Sequence, residues 1–341
     1  MFKRILSALC LYLLMSTASA QNNWIYPSYD LQRTYPDKNV LILNDNYKHL
    51  FHQLALVEQH VTGFGWAEGP CWVADGKYLL FSDLPNNRIM KWDPATSQAS
   101  VFISPSNYTN GMVRDTDGRL IMCRHSRGIA RMEHDGSIKQ ILGSYAGKQI
   151  NSPNDAVVTS DGSIWFTDPL TVTNDLYFES REQKPEQPTH NVVRIDGKNG
   201  SASIVVSDIA FPNGLGFSPD EKKMYLVGIL DGQYVIMSYD VKGMTLENGT
   251  VLVRCGEAIA DGICIDEEGN IWCAYAGPTE EYNGVGVFNP QGEKVAYISM
   301  PERVSNVTWG GDNNSTLYMT AGRSLYSLKT NVRGIGTKFK K

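Results

Sequence analysis

Between Ser152 and Asp168 the chain places a polar Asn154-Asp155 pair before an apolar run, then Asp161-Gly162, then a second apolar run ending in Asp168. Two short apolar stretches around an Asp-Gly turn predict one β-hairpin with polar groups at its open end. Measured from this hairpin, a polar residue stands seven positions before a turn signal at five more places: Glu68 before Asp75-Gly76, Asn110 before Asp117-Gly118, Asn213 before Asp220-Glu221, Asp261 before Glu268-Gly269, and Asn306 before Asn313-Asn314. Successive copies lie 42 to 59 residues apart, the interval of four-stranded propeller blades.

Each copy continues alike. A third strand follows, as in Arg88–Trp92, Asn191–Ile195 and Ser324–Leu328, and a fourth leads into the next copy, as in Ser100–Ile103 and Lys294–Tyr297. The sixth copy has no fourth strand after it. The apolar stretch Leu54–Val61 ahead of Glu68 has the character to supply it, so that both termini close the ring and leave no open sheet edge. The pattern predicts an all-β fold: a six-bladed β-propeller of four-stranded antiparallel blades, closed by an N-terminal strand pairing with the last blade. Residues 54–330 form the propeller, 21–53 an extended arm packed on its outside, and 331–341 a tail. The longest interval between copies holds a polar insertion, Leu170–His190, expected to rim the face that carries Asn154.

The first residues bring a different signal. Lys3-Arg4, an apolar run from Ile5 to Met15 and Ala18-Ser19-Ala20 read as a secretory leader, residues 1–20, cut before Gln21. The expectation is an exported protein, periplasmic or secreted, with no membrane span. Composition fits many strands and tight turns, with 31 Gly, 15 Pro and 17 Tyr in 341 residues. A net charge of −5 without a basic cluster outside Lys338–Lys341 excludes nucleic acid as an expected partner. Five cysteines remain after the leader, without C-x-x-C spacing, which suits small core residues better than a disulfide framework; a Cys264–Cys273 bridge stays open.

Residues at one register position of the first strands ring the axis of a propeller. Here they are Glu68, Asn110, Asn154, Asn213, Asp261 and Asn306, two carboxylates and four amides, which as hard oxygen donors suit Ca2+, Mg2+ or Mn2+. Turn formation alone accounts equally well for Asn110 and Asn306, and less well for Glu68, a poor turn former heading an apolar strand. Returning strands bring Asp83, His125 and Asp168 toward the same face, either as a second ring or as acceptors that hold the blades together. No G-x-S-x-G elbow, H-E-x-x-H or phosphate loop is present.

Glu68-Gly69-Pro70, Phe81-Ser82-Asp83, Asn151–Asp155, Trp165–Pro169, Phe211–Leu215, Phe217–Glu221 and Ala260-Asp261-Gly262 together resemble the SMP-30/gluconolactonase/LRE-like family over about Thr62–Leu328, most of all its bacterial gluconolactonase branch. The resemblance implies a lactonase with one divalent cation in the axial channel, Ca2+ foremost and Zn2+, Mg2+ or Mn2+ as alternatives. It matches Glu68, Asn213 and Asp261 to the metal ligands, Asp261 also to the general base, and Asn154 to a substrate-binding amide. His125 and Asn110 are further candidate substrate contacts. The implied reaction opens a sugar lactone such as glucono-1,5-lactone to the acid, the cation polarising the carbonyl and Asp261 or a metal-bound water acting as base or nucleophile. Other lactones, aryl esters or phosphotriesters are alternative substrates, and a non-catalytic ligand-binding propeller is the reading from another class. The chain departs from the family at three places. Arg124 precedes His125 where this branch often has an acidic or amide residue, Leu170-Thr171 replaces Tyr-Gly, and Ser152 stands where animal members carry Arg.

Overall fold

The computed structural model describes residues 34–169 and 185–336, so the leader and most of the 170–190 insertion lie outside the described residues. Six antiparallel four-stranded sheets follow one another around an axis. Their first strands are Ala67–Val73, Thr109–Arg114, Ala156–Val158, Leu215–Phe217, Ile259–Ile265 and Val304–Gly310. Blades 1 to 5 run outward in chain order. Blade 6 takes its outer strand from the other end of the chain: Glu58–Thr62 pairs with Ser324–Lys329, Glu58 opposite Ser327 and Thr62 opposite Ser324. The expected six-bladed ring and its closure are both present.

The arm adds a fifth strand. Val40–Ile42 pairs antiparallel with Lys294–Ser299 on the outer edge of blade 5 and covers backbone groups that an edge strand would expose. No helix among the described residues is long and apolar enough to cross a membrane.

Packing explains why the strands alternate as they do. Each blade buries both faces against its neighbours, and the buried apolar side chains fall into six clusters, one per gap. Trp165 meets Phe217 edge-on at 5.2 Å between blades 3 and 4, and Trp272 meets Trp309 at 5.1 Å between blades 5 and 6. The cysteines serve these gaps. Cys264 lies opposite Trp272, whereas Cys273 lies opposite Ile263 in the same strand pair, so their side chains leave the sheet on opposite faces. The bridge left open by the sequence is therefore not formed, and the five described cysteines are all free thiols.

The closing seam carries a pH dependence. His60, half-buried, stacks on Trp92 of blade 1 at 4.2 Å and shares a 2.8 Å hydrogen bond with the Ser327 hydroxyl. Burial pushes its pKa down to about 4 from 6.5. The unfolded chain binds this proton from pH 6.5 downward and the folded chain only near 4. The neutral ring's contribution is therefore fully present above pH 6.5 and is lost as pH falls to about 4, a loss of about 3 kcal/mol at most. Urea unfolding of wild type and His60→Gln at pH 7, 5.5 and 4 is expected to show a steeper fall for wild type; parallel curves would remove His60 as the cause.

Candidate functional site

The axial residues sit where the first strands begin, and the strand geometry explains their convergence. Glu68 lies opposite Ser82 in blade 1, and the Ser82 hydroxyl donates to the Asn110 carbonyl of blade 2 at 2.8 Å. Gly111 N–H donates to the Asn154 carbonyl of blade 3 at 2.8 Å. Neighbouring first strands are thus fastened together at the level of the ring. Close approach at this level needs Gly69, whose φ of 46° lies in the left-handed region and whose Cα faces the Asn110 carbonyl.

Three carboxyl groups gather at the centre. Glu68 and Asp155 are buried, and Asp261 is half-buried. Glu68 accepts from Gly69 N–H at 3.0 Å, from Trp66 Nε1 at 3.3 Å and from the Asn306 amide. Asn306 Nδ2 also reaches Asp155 Oδ2 at 3.2 Å, and Asp155 Oδ1 accepts Ala156 N–H at 2.8 Å. The Asn213 amide donates to Asp261. Burial pushes the proton affinity of all three carboxyls up, and the negative charges add to it: Asp155 acts on Glu68, and both act on Asp261. Asp155 is raised to about 6.

Two buried amide oxygens here have no protein partner. Asn213 Oδ1 is enclosed and unbonded, as is Asn110 Oδ1 nearby, whose Nδ2 lies 3.2 Å from His125 Nε2. Among the described residues no group of three or more His, Cys, Asp or Glu side chains is disposed to hold a metal ion by itself. An ion at this place would draw on amide oxygen as well as carboxylate.

The structure brings Glu68, Asn213 and Asp261 into one interacting group, with Asn110 and His125 paired beside it and Asn154 buried at the same level of blade 3. Asp83 and Asp168 take the structural role. Asp83 accepts from Gly65 N–H, Asn86 and Arg88, and Asp168 from Asn151 N–H, Ser152 N–H and the Tyr145 hydroxyl. Asn306 is also more than a turn former, since it links Glu68 to Asp155. Asp155 was not singled out by the sequence, although the Asn154-Asp155 pair that headed the template hairpin was its signal. Beyond the ring, toward the Asp-Gly turns, the channel opens into a cavity of about 730 Å3 walled by Val113, Val158, Phe217 and Ile265, with Asp155 and Asn306 on its lining. Asn110, His125, Asn154 and Asn213 are not on its lining, which is of mixed polarity and includes Arg114 and Glu221.

A closed six-bladed propeller whose buried carboxylates and amides meet at the axis defines the class of the protein. The chain belongs to the SMP-30/gluconolactonase/LRE-like family, whose profile matches residues 66–323. It is 29% identical over 305 residues to a gluconolactonase from Zymomonas mobilis, covering 82% of each chain. It is 24% identical over 260 residues to a pentonolactonase from Haloferax volcanii, covering 74% of this chain and 80% of that one. Among solved structures, a gluconolactonase from Xanthomonas campestris superimposes with a TM-score of 0.76 at 29% identity, over 85% of this chain and 94% of the other.

Proposed function

We propose that the protein is a sugar-lactone hydrolase, opening an aldonolactone such as glucono-1,5-lactone to its acid with the aid of one divalent cation at Glu68, Asn213 and Asp261. The observation that carries the reading is the buried group itself. Two enclosed carboxylates, Glu68 raising the proton affinity of Asp261, beside an amide oxygen with no protein partner, form an arrangement that a cation satisfies and a mere scaffold does not need. The hard oxygen set fits Ca2+ first, with Mg2+, Mn2+ and Zn2+ also accommodated. When bound, the cation supplies charge stabilisation for the oxyanion that forms as the lactone carbonyl is attacked.

The chain's own groups do the rest. Asp261 is the base, taking the proton of the attacking water at its carboxylate, and the Asn213 amide orients it. Glu68 is held in place by Gly69 N–H, Trp66 and Asn306, so its carboxylate needs no reorganisation. Asn110 Oδ1, unbonded within the protein, accepts a sugar hydroxyl, while Asn154 and His125 fix the ring's orientation.

The test is turnover of glucono-1,5-lactone followed by acid release in a pH-stat. Chelation is expected to lower the rate by at least about 100-fold and to lower the melting temperature, both restored by Ca2+ or another divalent ion. Full activity in the presence of chelator would overturn the cation's part. Failure to open any lactone with each metal supplied would overturn the enzyme.

A further inference from the structure

The enclosed arginines of this propeller are generally paired: Arg88 with Asp83, Arg119 with Asp115, Arg194 with Asp196. Arg124 is different. No carboxylate among the described residues forms an ion pair with it, and its Nε, like that of the paired Arg194, is buried without a hydrogen-bond partner. The residue is half-buried, and that burial lowers its pKa, a sign that the cation is incompletely solvated.

Register shows where the side chain is aimed. Ala67, one residue before axial Glu68, lies opposite Asp83; Thr109, one residue before axial Asn110, lies opposite Arg124. In blade 3, axial Asn154 N–H bonds the Thr167 carbonyl, which gives Asp168 the same place. Asp83 and Asp168 both turn to the lip of the mouth, accepting the N–H groups of Gly65, Asn151 and Ser152 just ahead of the axial residues. A guanidinium cannot accept such bonds. At the matching lip of blade 2 the N–H of Tyr108 is served instead by Asn87 Oδ1 at 2.7 Å. Arg124 thus occupies a position that points at the lip, has no structural duty there, and adjoins His125, whose Nε2 meets the axial Asn110.

We propose that Arg124 is a specificity residue that binds an acid group carried by the substrate, so that the preferred lactones bear a carboxylate or phosphate at the end remote from the ring carbonyl. The inference rests on the lactone-hydrolase reading for its substrate class. A planar guanidinium offers two parallel donors to either oxyanion, and the site's other contacts remain those of a neutral sugar lactone.

The experiment compares kcat/KM for glucono-1,5-lactone, an aldarolactone and 6-phosphogluconolactone in wild type, Arg124→Lys and Arg124→Gln. Wild type is expected to favour at least one acidic lactone over the neutral one, and Arg124→Gln to lower that acidic-to-neutral ratio by about 10- to 100-fold through KM, with Arg124→Lys between them. The carboxylate and phosphate arms tell the two sources apart. Calorimetric binding of gluconate, glucarate and 6-phosphogluconate to the same three proteins reads the same preference without turnover, so an inactive enzyme with an Arg124-dependent preference for an acidic ligand would sink the hydrolase and keep the arginine's role. Ratios within about threefold between wild type and Arg124→Gln, in both turnover and binding, would overturn it.

Discussion

Asp261→Asn is expected to lower kcat/KM for the lactone by at least about 1,000-fold while making the cation-free protein more stable. Both parts follow from one geometry. The carboxyl of Asp261 lies in the field of Glu68 and Asp155, and enclosure and like charge together raise its proton affinity. At neutral pH the folded state therefore bears a cost for its ionisation that the unfolded chain does not, and a neutral isostere removes it. Asn retains an oxygen for the Asn213 amide to reach, so packing is kept. What it cannot do is take a proton from water or give a second full charge to a cation, a loss of about 4 kcal/mol in transition-state stabilisation. Pre-steady-state and steady-state lactone opening, thermal unfolding in chelator, and calorimetric Ca2+ titration check the three parts separately. Activity within about tenfold of wild type would remove Asp261 from the chemistry. Lower stability in chelator would show that the carboxyl makes a contact more valuable than the repulsion it suffers.

Much of the architecture was legible because its signals are local. An Asp-Gly or related turn seven residues after a polar strand head repeats six times, and each copy encodes its own hairpin. The closing strand was legible for a different reason: five intervening fourth strands for six copies leave one edge unpaired, and His60-Val61 lies in an apolar run with no other edge to fill. The extra strand Val40–Ile42 was not foreseen as a strand, since three residues carry no alternation to read; it takes its conformation from the edge of blade 5 that it covers. Within the site, the axial ring followed from register alone. The roles of its members did not. Asp155 neighbours an axial residue in sequence and joins Glu68 through Asn306 of a blade more than 150 residues away, a contact that no local pattern encodes. Asp83 and Asp168 share a register position with Arg124, yet only their hydrogen bonds show two of the three to be structural.

Gly69→Ala is expected to be the most damaging single-methyl change near the axis. The residue adopts φ 46°, where an alanine already costs about 1 kcal/mol. The added Cβ would also overlap the Asn110 carbonyl and come within 2.9 Å of Gly111 Cα, backbone atoms of the next blade's first strand. That carbonyl is fixed by the Ser82 hydroxyl, and Gly111 N–H is fixed to the Asn154 carbonyl, so yielding would loosen blades 1, 2 and 3 together. Such a backbone clash in a packed interior brings the total to roughly 3–5 kcal/mol. Gly136 supplies the control: its φ is 82°, but a Cβ there meets nothing within 4 Å, so Gly136→Ala bears only the conformational term. Urea unfolding should therefore separate the two variants by at least about 2 kcal/mol. The folded fraction of Gly69→Ala should also bind the cation more weakly, because Gly69 N–H holds the Glu68 carboxylate at 3.0 Å. Equal destabilisation of the two variants would mean that the first strands can separate without cost, and that the axial ring is held by the cation rather than by the interlocked backbone.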